Sequence, residues 1–283
     1  MKQFFIITNQ IKDPQLETTE WITAYLQERG IGFLVHVQED CQGLYYTDSR
    51  NIPADTDCIL VLGGDGTLLE AARDTAHLNI PLIGVNLGTL GYLAEVEKSN
   101  LAEALDRLCA GDYQIDKRMM LEGCMTPEGG AEIINYALND VVISRNGPLQ
   151  VIHFHIYVNG HFLKGYSADG IIVSTPTGST GYNMSAGGPI VEPDAKLLVI
   201  TPICPHTLST RSIVLSPEDR IEIEICPSKS GRIQEVDANF DGSHTIPMKT
   251  GDRILVRRSE KTTSIIKLSD ASFLEVLHRK MSE

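Results

Sequence analysis

The sequence lacks the long apolar run, the paired cysteines and the basic charge that would each mark a particular class of protein. No apolar stretch among the 283 residues approaches the roughly 20 residues that cross a bilayer. The six cysteines form no CxxC pair and no cluster with histidine, so neither a zinc site nor a disulfide framework is expected. A formal net charge of −13 argues against a nucleic-acid partner. We expect a cytoplasmic protein whose apolar N-terminal stretch is a β-strand and not a signal peptide.

Two common nucleotide-binding signatures are also missing. The glycine-rich run at 63–66 is not followed by Gly-Lys-Ser/Thr, so it is not a Walker A loop. Its glycines do not have the GxGxxG spacing either, which disfavours a hydride-transferring Rossmann enzyme. Because the chain is acidic, any bound phosphate must be held by backbone amides, helix N-termini and a divalent cation.

The apolar pattern predicts two domains and a final helix. Residues 1–112 alternate buried strands with helices, which predicts a Rossmann-like α/β domain around a parallel sheet. Residues 113–268 alternate apolar and polar residues and predict an antiparallel, β-rich domain. A helix within residues 269–283 is expected to pack on the first domain. The strands predicted in the first domain are 4–8, 31–37, 58–62 and 82–86, and its helices are 14–29, 67–75 and 101–110, with a loop at 40–56 and Asn100 as the cap of the last helix.

The run Gly63-Gly64-Asp65-Gly66-Thr67 lies between a predicted buried strand and a predicted helix. Glycines at such a turn let a phosphate approach the backbone without meeting a Cβ atom, so Gly63, Gly64, Gly66 and Thr67 are predicted to form a phosphate loop. Asp65 is the only charged group of the loop, and its carboxylate could accept a proton from an attacking hydroxyl or help to hold a metal. The alternative is an ordinary strand-to-helix turn in which Asp65 caps the helix.

A second segment, residues 169–190, is dense in hydroxyls, small side chains and glycine. Such a surface suits a polar ligand with ribose and amide groups. Thr180 is expected to open a short helix whose N-terminus faces an anion. His153 and His155 share one face of a strand, but no third ligand lies near them in the sequence, so no metal site is predicted there.

Five motifs occur in order along the chain: GGDGT at 63–67, NLGTLGYLAE at 86–95, LND at 138–140, the long segment at 169–190 and PHTLSTR at 205–211. Together they resemble the signature set of bacterial NAD kinases. GGDGT alone is shared with diacylglycerol-type lipid kinases and resembles the phosphofructokinase loop, whereas the long segment makes the resemblance specific. The resemblance implies an enzyme that phosphorylates the 2′-hydroxyl of the adenosine ribose of NAD, with ATP or another phosphoryl donor, to give NADP.

The resemblance also implies roles for individual residues. Asp65 would take the proton from the ribose hydroxyl. Asp140 stands where the family usually has Glu, and Ser167 and Ser243 stand where it often has Arg and Gln. The implied contacts to the dinucleotide are Gly66, Asn139, Asp140, Asp169, Thr177, Thr180, Gly181, Tyr182, Asn183 and Ser185.

The implied substrates are NAD and ATP, with a divalent cation (Mg²⁺ or Mn²⁺) bound mainly through the donor. Neither nucleic acid nor membrane is expected as a partner, and a homo-oligomer, a dimer or tetramer, is implied. Two other functions stay open. One is a lipid or sugar kinase that shares the GGDGT loop, since Glu70 completes the GGDGTxxE spacing of some lipid kinases. The other is a sensor that binds NAD or NADP without converting it, although the presence of Asp65 argues against it.

Overall fold

A computed structural model of the chain describes residues 1–38, 47–88, 91–127, 130–147, 150–207 and 211–282. The predicted loop at 40–56 and the motifs at 86–95 and 205–211 therefore lie partly outside the described residues. Within these ranges, no helix is long and apolar enough to cross a membrane.

The described elements follow the chain in this order. The strands are β1 (Gln3–Asn9), β2 (Gly32–Gln38), β3 (Cys58–Gly63), β4 (Leu82–Asn86), β5 (Val96–Glu97), β6 (Gln114–Met125), β7 (Ile133–Ala137), β8 (Asp140–Arg145), β9 (Ile152–Val158), β10 (His161–Ala168), β11 (Gly170–Ser174), β12 (Leu198–Ile203), β13 (Ile213–Leu215), β14 (Ile221–Ile225), β15 (Glu235–Phe240), β16 (His244–Lys249) and β17 (Arg253–Lys267). The helices are α1 (Glu17–Glu28), α2 (Asp65–Thr75), α3 (Leu101–Ala110), α4 (Tyr182–Ser185) and α5 (Phe273–Met281).

The chain divides into two compact units. The first comprises residues 1–118 and 262–283, and the second comprises residues 119–261. The unit limits fall inside β6 and β17, so each of these strands begins in one unit and ends in the other. The domain limits expected from the sequence, 1–112, 113–268 and 269–283, remain a prediction.

The first unit is built on a parallel sheet in the order β2-β1-β3-β4, with β5 also paired to β4. The strands β1, β3 and β4 are apolar runs that are buried along nearly their whole length, as in Phe4–Ile7 and Ile59–Leu62. Each such side chain contributes about 1.5–3 kcal/mol through burial. Because β1, β3 and β4 all run the same way, their ends at Asn9, Gly63 and Asn86 meet at one edge of the sheet, where open α/β folds bind ligands.

Two helix starts in this unit differ from the predictions. Helix α1 begins at Glu17 and not at Pro14, because the Asp13 carboxylate accepts the backbone N–H groups of Thr18 (3.3 Å) and Thr19 (2.9 Å). Helix α2 begins at Asp65, two residues before the predicted start. Helix α3 begins at Leu101, as predicted, with Asn100 in the N-cap position, but the Asn100 side chain makes no capping hydrogen bond.

The second unit consists of two antiparallel sheets. One has the order β13-β12-β11-β8-β15-β16, and the other includes β10-β9-β14-β17 and the β6-β7 pair. Alternate side chains point into a common core, as in β14, where Ile221, Ile223 and Ile225 are buried. The predicted short helix is a 3₁₀ turn, Thr177–Thr180, followed by α4. Thr180 therefore ends the 3₁₀ turn and does not open a helix, which corrects the prediction.

Candidate functional site

The glycine run follows β3 and leads directly into α2. Gly64 occupies the N-cap position with an extended backbone, and Asp65 is the first helical residue. A Cβ atom on Gly63 would overlap the side chain of Thr67, so the turn requires glycine there. The Thr67 hydroxyl also accepts a hydrogen bond from Asn9 Nδ2 (3.1 Å), which ties the turn to the end of β1.

The Asp65 carboxylate does not cap its own helix. Oδ2 accepts the backbone N–H of Tyr92 (2.6 Å), and Oδ1 accepts those of Leu93 (3.1 Å) and Ala94 (3.0 Å). A Cβ atom on Gly91 would overlap this carboxylate, so only glycine leaves room for it. A carboxylate has about four acceptor positions. Three amides therefore fix the orientation of the Asp65 side chain and leave about one position for a ligand hydroxyl.

In the second unit, the turn between β7 and β8 is held in a similar way by Asp241. The Asp241 carboxylate accepts the backbone N–H groups of Leu138 (2.7 Å), Asn139 (2.8 Å) and Asp140 (3.1 Å). Asp241 itself adopts a left-handed backbone conformation (φ 50°) at the turn after β15. Sequence reasoning missed this anchoring role. The available signal was the Asp-Gly pair at 241–242, which is typical of a tight turn.

Asp140 is an unusual carboxyl group because it is only 5% exposed. Burial, followed by the nearby negative charge of Asp241, raises the pKa of Asp140 to about 7. Burial thus favours the protonated form of this carboxyl group, which can donate a hydrogen bond.

Asn139 is brought against the long Ser/Thr-rich segment. Its carbonyl oxygen accepts the backbone N–H of Thr175 (2.9 Å), and a Cβ atom on Gly178 would overlap that same carbonyl group. A Cβ atom on Gly181 would lie 3.3 Å from Asn139 Nδ2. The side-chain oxygen Oδ1 of Asn139 is buried and has no hydrogen-bond partner among the described residues. A buried acceptor of this kind is a suitable contact for an amide or hydroxyl of a ligand.

The other predicted contacts in this segment differ in accessibility. Asn183 is fully buried, and its side chain is hydrogen-bonded to Ser179, Pro189 and Thr201. Tyr182 is 47% exposed. The remaining predicted contacts are Thr177, which is buried, Thr180 and Gly181, which are half-buried, and Ser185, which is exposed.

Asp169 lies apart from this group. It precedes β11, whereas Thr175–Ser185 follows it, and the five residues of β11 span about 15 Å. Asp140 pairs with Ser174 at the far end of β11, so Asn139 and Asp140 lie beside the 177–185 segment and Asp169 does not.

No group of three or more His, Cys, Asp or Glu residues suited to a metal ion occurs in the described part of the chain. His153 Nδ1 is hydrogen-bonded to Ser167 Oγ at 2.7 Å.

Comparison with known proteins identifies the family. A model of the ATP-NAD kinase N-terminal domain matches residues 4–113, and a model of the C-terminal domain matches residues 138–268. The chain belongs to the NAD kinase family. The NAD kinase of Lachnospira eligens is 45% identical over 293 residues, which cover 99% of this chain and all of that protein.

Solved structures agree with this assignment and confirm the predicted fold class. The yeast NADH kinase complexed with NADH has a TM-score of 0.85 at 25% identity and covers 99% of this chain and 87% of that chain. An NAD kinase from Archaeoglobus fulgidus in complex with ATP has a TM-score of 0.80 at 23% identity, covers 99% of each chain and supports the fold. The predicted function is confirmed at this level: the chain is an NAD kinase enzyme, a phosphotransferase.

Proposed function

We propose that this NAD kinase transfers the γ-phosphoryl group of ATP to the 2′-hydroxyl of the adenosine ribose of NAD. The observation that carries the proposal is the Asp65 carboxylate, which is held at the ligand-binding edge of a parallel sheet with about one acceptor position left open. The NADH and ATP complexes of the yeast and archaeal relatives support the two substrate classes.

In the proposed reaction, Asp65 acts as the general base. The ribose hydroxyl donates a hydrogen bond to the carboxylate, and its oxygen attacks the γ-phosphorus. A new P–O bond forms as the bond to the β-phosphate oxygen breaks, ADP leaves, and the hydroxyl proton passes to Asp65. Positioned bases of this kind typically contribute about 10²–10⁴ in rate. The three hydrogen bonds from backbone amides hold the carboxylate in one orientation, so that little reorganisation is needed when the hydroxyl arrives.

The dinucleotide contacts form the second part of the proposal. The buried Asn139 Oδ1 accepts a hydrogen bond from the ligand, and protonated Asp140 donates one. Asn183 shapes the segment through its internal bonds. The remaining contacts are assigned to Gly66, Asp169, Thr177, Thr180, Gly181, Tyr182 and Ser185, and the loop of Gly63, Gly64, Gly66 and Thr67 is assigned to phosphate.

The divalent cation, Mg²⁺ or Mn²⁺, is proposed to bind mainly through the phosphates of the donor, where it would neutralise charge that an acidic chain does not. The five free cysteines among the described residues suit a reducing compartment, so we place the activity in the cytoplasm. A homo-oligomer, a dimer or tetramer, also stays a prediction, and light scattering on the purified protein would test it.

The test combines the wild-type protein with NAD, ATP and MgCl₂ and measures NADP. Replacing Asp65 by Asn should keep the affinity for NAD within a few-fold but reduce turnover by about 10²-fold or more, because the base is lost. Asp57→Asn is the matched control, since the Asp57 carboxylate also accepts two backbone N–H groups, those of Lys2 and Gln3. Wild-type turnover in Asp65→Asn would remove Asp65 from the chemical step.

A further inference from the structure

The loop at 91–95, whose backbone binds the Asp65 carboxylate, forms neither helix nor strand. The backbone N–H groups of residues 92–94 are all hydrogen-bonded to Asp65. Ala94 lies against the sheet, since a Cβ atom on Gly84 of β4 would be 2.9 Å from Ala94 Cα. The position of the acid therefore depends on what holds this loop, and above all on what holds its end.

The last residue of the loop, Glu95, is bound to a part of the first unit that is distant in sequence. Glu95 Oε1 accepts the backbone N–H of Leu268 (3.0 Å) and also that of Ser269. Arg107 Nη1 in turn donates a hydrogen bond to the carbonyl oxygen of Leu268 (2.6 Å). Leu268 is nearly buried in the core of this unit, so Glu95 is bound to a segment that is itself well anchored.

The sheet explains why these two segments meet. Strand β3 pairs with one edge of β4 along its whole length, so β17 and β5 both pair with the other edge. Ile265 of β17 lies opposite Leu82 at the start of β4, and Val96 of β5 lies opposite Val85 near its end. Strand β17 thus ends close to where β5 begins. The half-buried Glu95 side chain bridges the two strands by accepting the amides that follow β17.

We propose that Glu95 is a positioning residue for phosphoryl transfer, because it fastens the loop that binds Asp65 to the backbone at 268–269. The inference rests on the proposed function, since Glu95 acts through the acid that serves there as the base. Without this contact, the amides of residues 92–94 would be held less firmly, and so would the Asp65 carboxylate. A displacement of about 1 Å in an aligned reacting group can cost about 10²-fold in rate.

The first experiment compares the steady-state kinetics of Glu95→Ala with those of Glu103→Ala. Glu103 is the matched control, because it is an exposed acid that lines the same small cavity as Glu95. We expect kcat to fall at least about tenfold in Glu95→Ala and to stay unchanged in the control. The KM values for NAD and for Mg-ATP should stay within about twofold, since no substrate contact is removed.

Conservative variants separate this role from a general loss of stability. Both amides are bound to one oxygen of Glu95, and the side chain of Gln has the same length and keeps such an oxygen. Glu95→Gln should therefore recover most of the kcat. Glu95→Asp should not, because it is one methylene shorter and does not reach the two amides.

The donor side of the contact gives an independent test, which also serves if Glu95→Ala does not fold. Proline has no N–H, so Ser269→Pro removes one of the two donors, whereas Ser269→Ala keeps it. The Ser269 side chain is exposed, and the alanine variant should match the wild-type protein. Ser269→Pro should lose part of the kcat that Glu95→Ala loses, and the double variant should be no slower than Glu95→Ala alone.

Hydrogen–deuterium exchange gives a readout that does not depend on turnover. In Glu95→Ala, the amides of residues 92–94 should exchange at least about tenfold faster than in the wild-type protein, with no change in Glu103→Ala. In the Asp65→Asn background, Glu95→Ala should lower the remaining turnover less than about twofold, because the group it positions is already absent.

Unchanged exchange at residues 92–94 in Glu95→Ala would overturn the proposal. It would equally be overturned by a rise in either KM without a fall in kcat, or by the same loss of turnover with and without Asp65. If the wild-type protein made no NADP, the proposed function would fail, while the exchange rates would still decide whether Glu95 fixes the loop.

Discussion

Replacing Asp140 by Asn is expected to stabilise the folded protein above pH 7 and to change its stability little near pH 4. Asp140 is buried beside Asp241, so its ionised form is unfavourable in the folded state and its pKa rises from 3.8 to about 7. Between these two values the unfolded chain loses the proton while the folded chain keeps it. The free energy of unfolding therefore falls as the pH rises from 4 to 7 and then levels off.

The size of the effect follows from the two pKa values. Each pKa unit corresponds to about 1.4 kcal/mol, so a shift of roughly three units amounts to about 4 kcal/mol at pH 8. The amide of Asn cannot ionise and avoids this penalty, although it must still be accommodated as a buried polar group. A gain of about 2–4 kcal/mol at pH 8 is the expected outcome.

Urea unfolding followed by circular dichroism, between pH 4.5 and pH 8, would measure the difference between the two proteins. Asp194→Asn, a change at an exposed aspartate of the same unit, serves as the control. The expected signature is a stability difference that grows with pH for Asp140→Asn and stays flat for the control. A constant difference, or a variant that is less stable than the wild-type protein at pH 8, would refute the reasoning.

Three further predictions concern the anchors of the two turns and a second buried acid. The Cβ atom of Gly91→Ala should displace the Asp65 carboxylate and lower kcat at least about tenfold, with little change in the KM for NAD. An unaltered kcat in steady-state kinetics would show that the backbone shifts enough to accommodate the Cβ atom. Asp241→Ala should release three backbone amides and lower the free energy of unfolding by about 3 kcal/mol or more, with partial recovery in Asp241→Asn, as urea unfolding would measure. Burial raises the pKa of Glu70 to about 7, so Glu70→Gln should raise the melting temperature at pH 8 but not at pH 4. An equal rise in the melting temperature at the two pH values would contradict this prediction.

The parallel sheet could be predicted because its signal is local. The runs at 4–8, 58–62 and 82–86 are apolar without a helical period, and the structure forms strands there to within a residue or two. Helix starts were less predictable, since they depend on which side chain caps the first turn. Asp13 caps α1 from outside the predicted element boundary, whereas Asn100 stands at the start of α3 and makes no capping bond.

The glycine turn and its acid were also visible in the sequence, but the partners of the acid were not. The amides that bind Asp65 lie 27 to 29 residues further along the chain, and those that bind Asp241 lie more than 100 residues before it. A backbone N–H leaves no trace in the identity of its residue, so no motif could indicate which amides bind each acid. The sequence also did not indicate that Asp169 is separated from the 177–185 segment. The two are close along the chain, but the extended strand β11 lies between them.

The two acid-to-backbone anchors have a consequence for how this enzyme can change. Asp65 and Asp241 each accept hydrogen bonds from three successive backbone N–H groups, those of residues 92–94 and 138–140. Any amino acid except proline offers the same N–H, so these hydrogen bonds do not restrict the side chains at the six positions. Burial restricts four of them, Leu93, Ala94, Leu138 and Asp140. Libraries that vary the half-buried positions 92 and 139 could therefore explore substrate preference while the loops keep their shape, provided that the two aspartates stay in place.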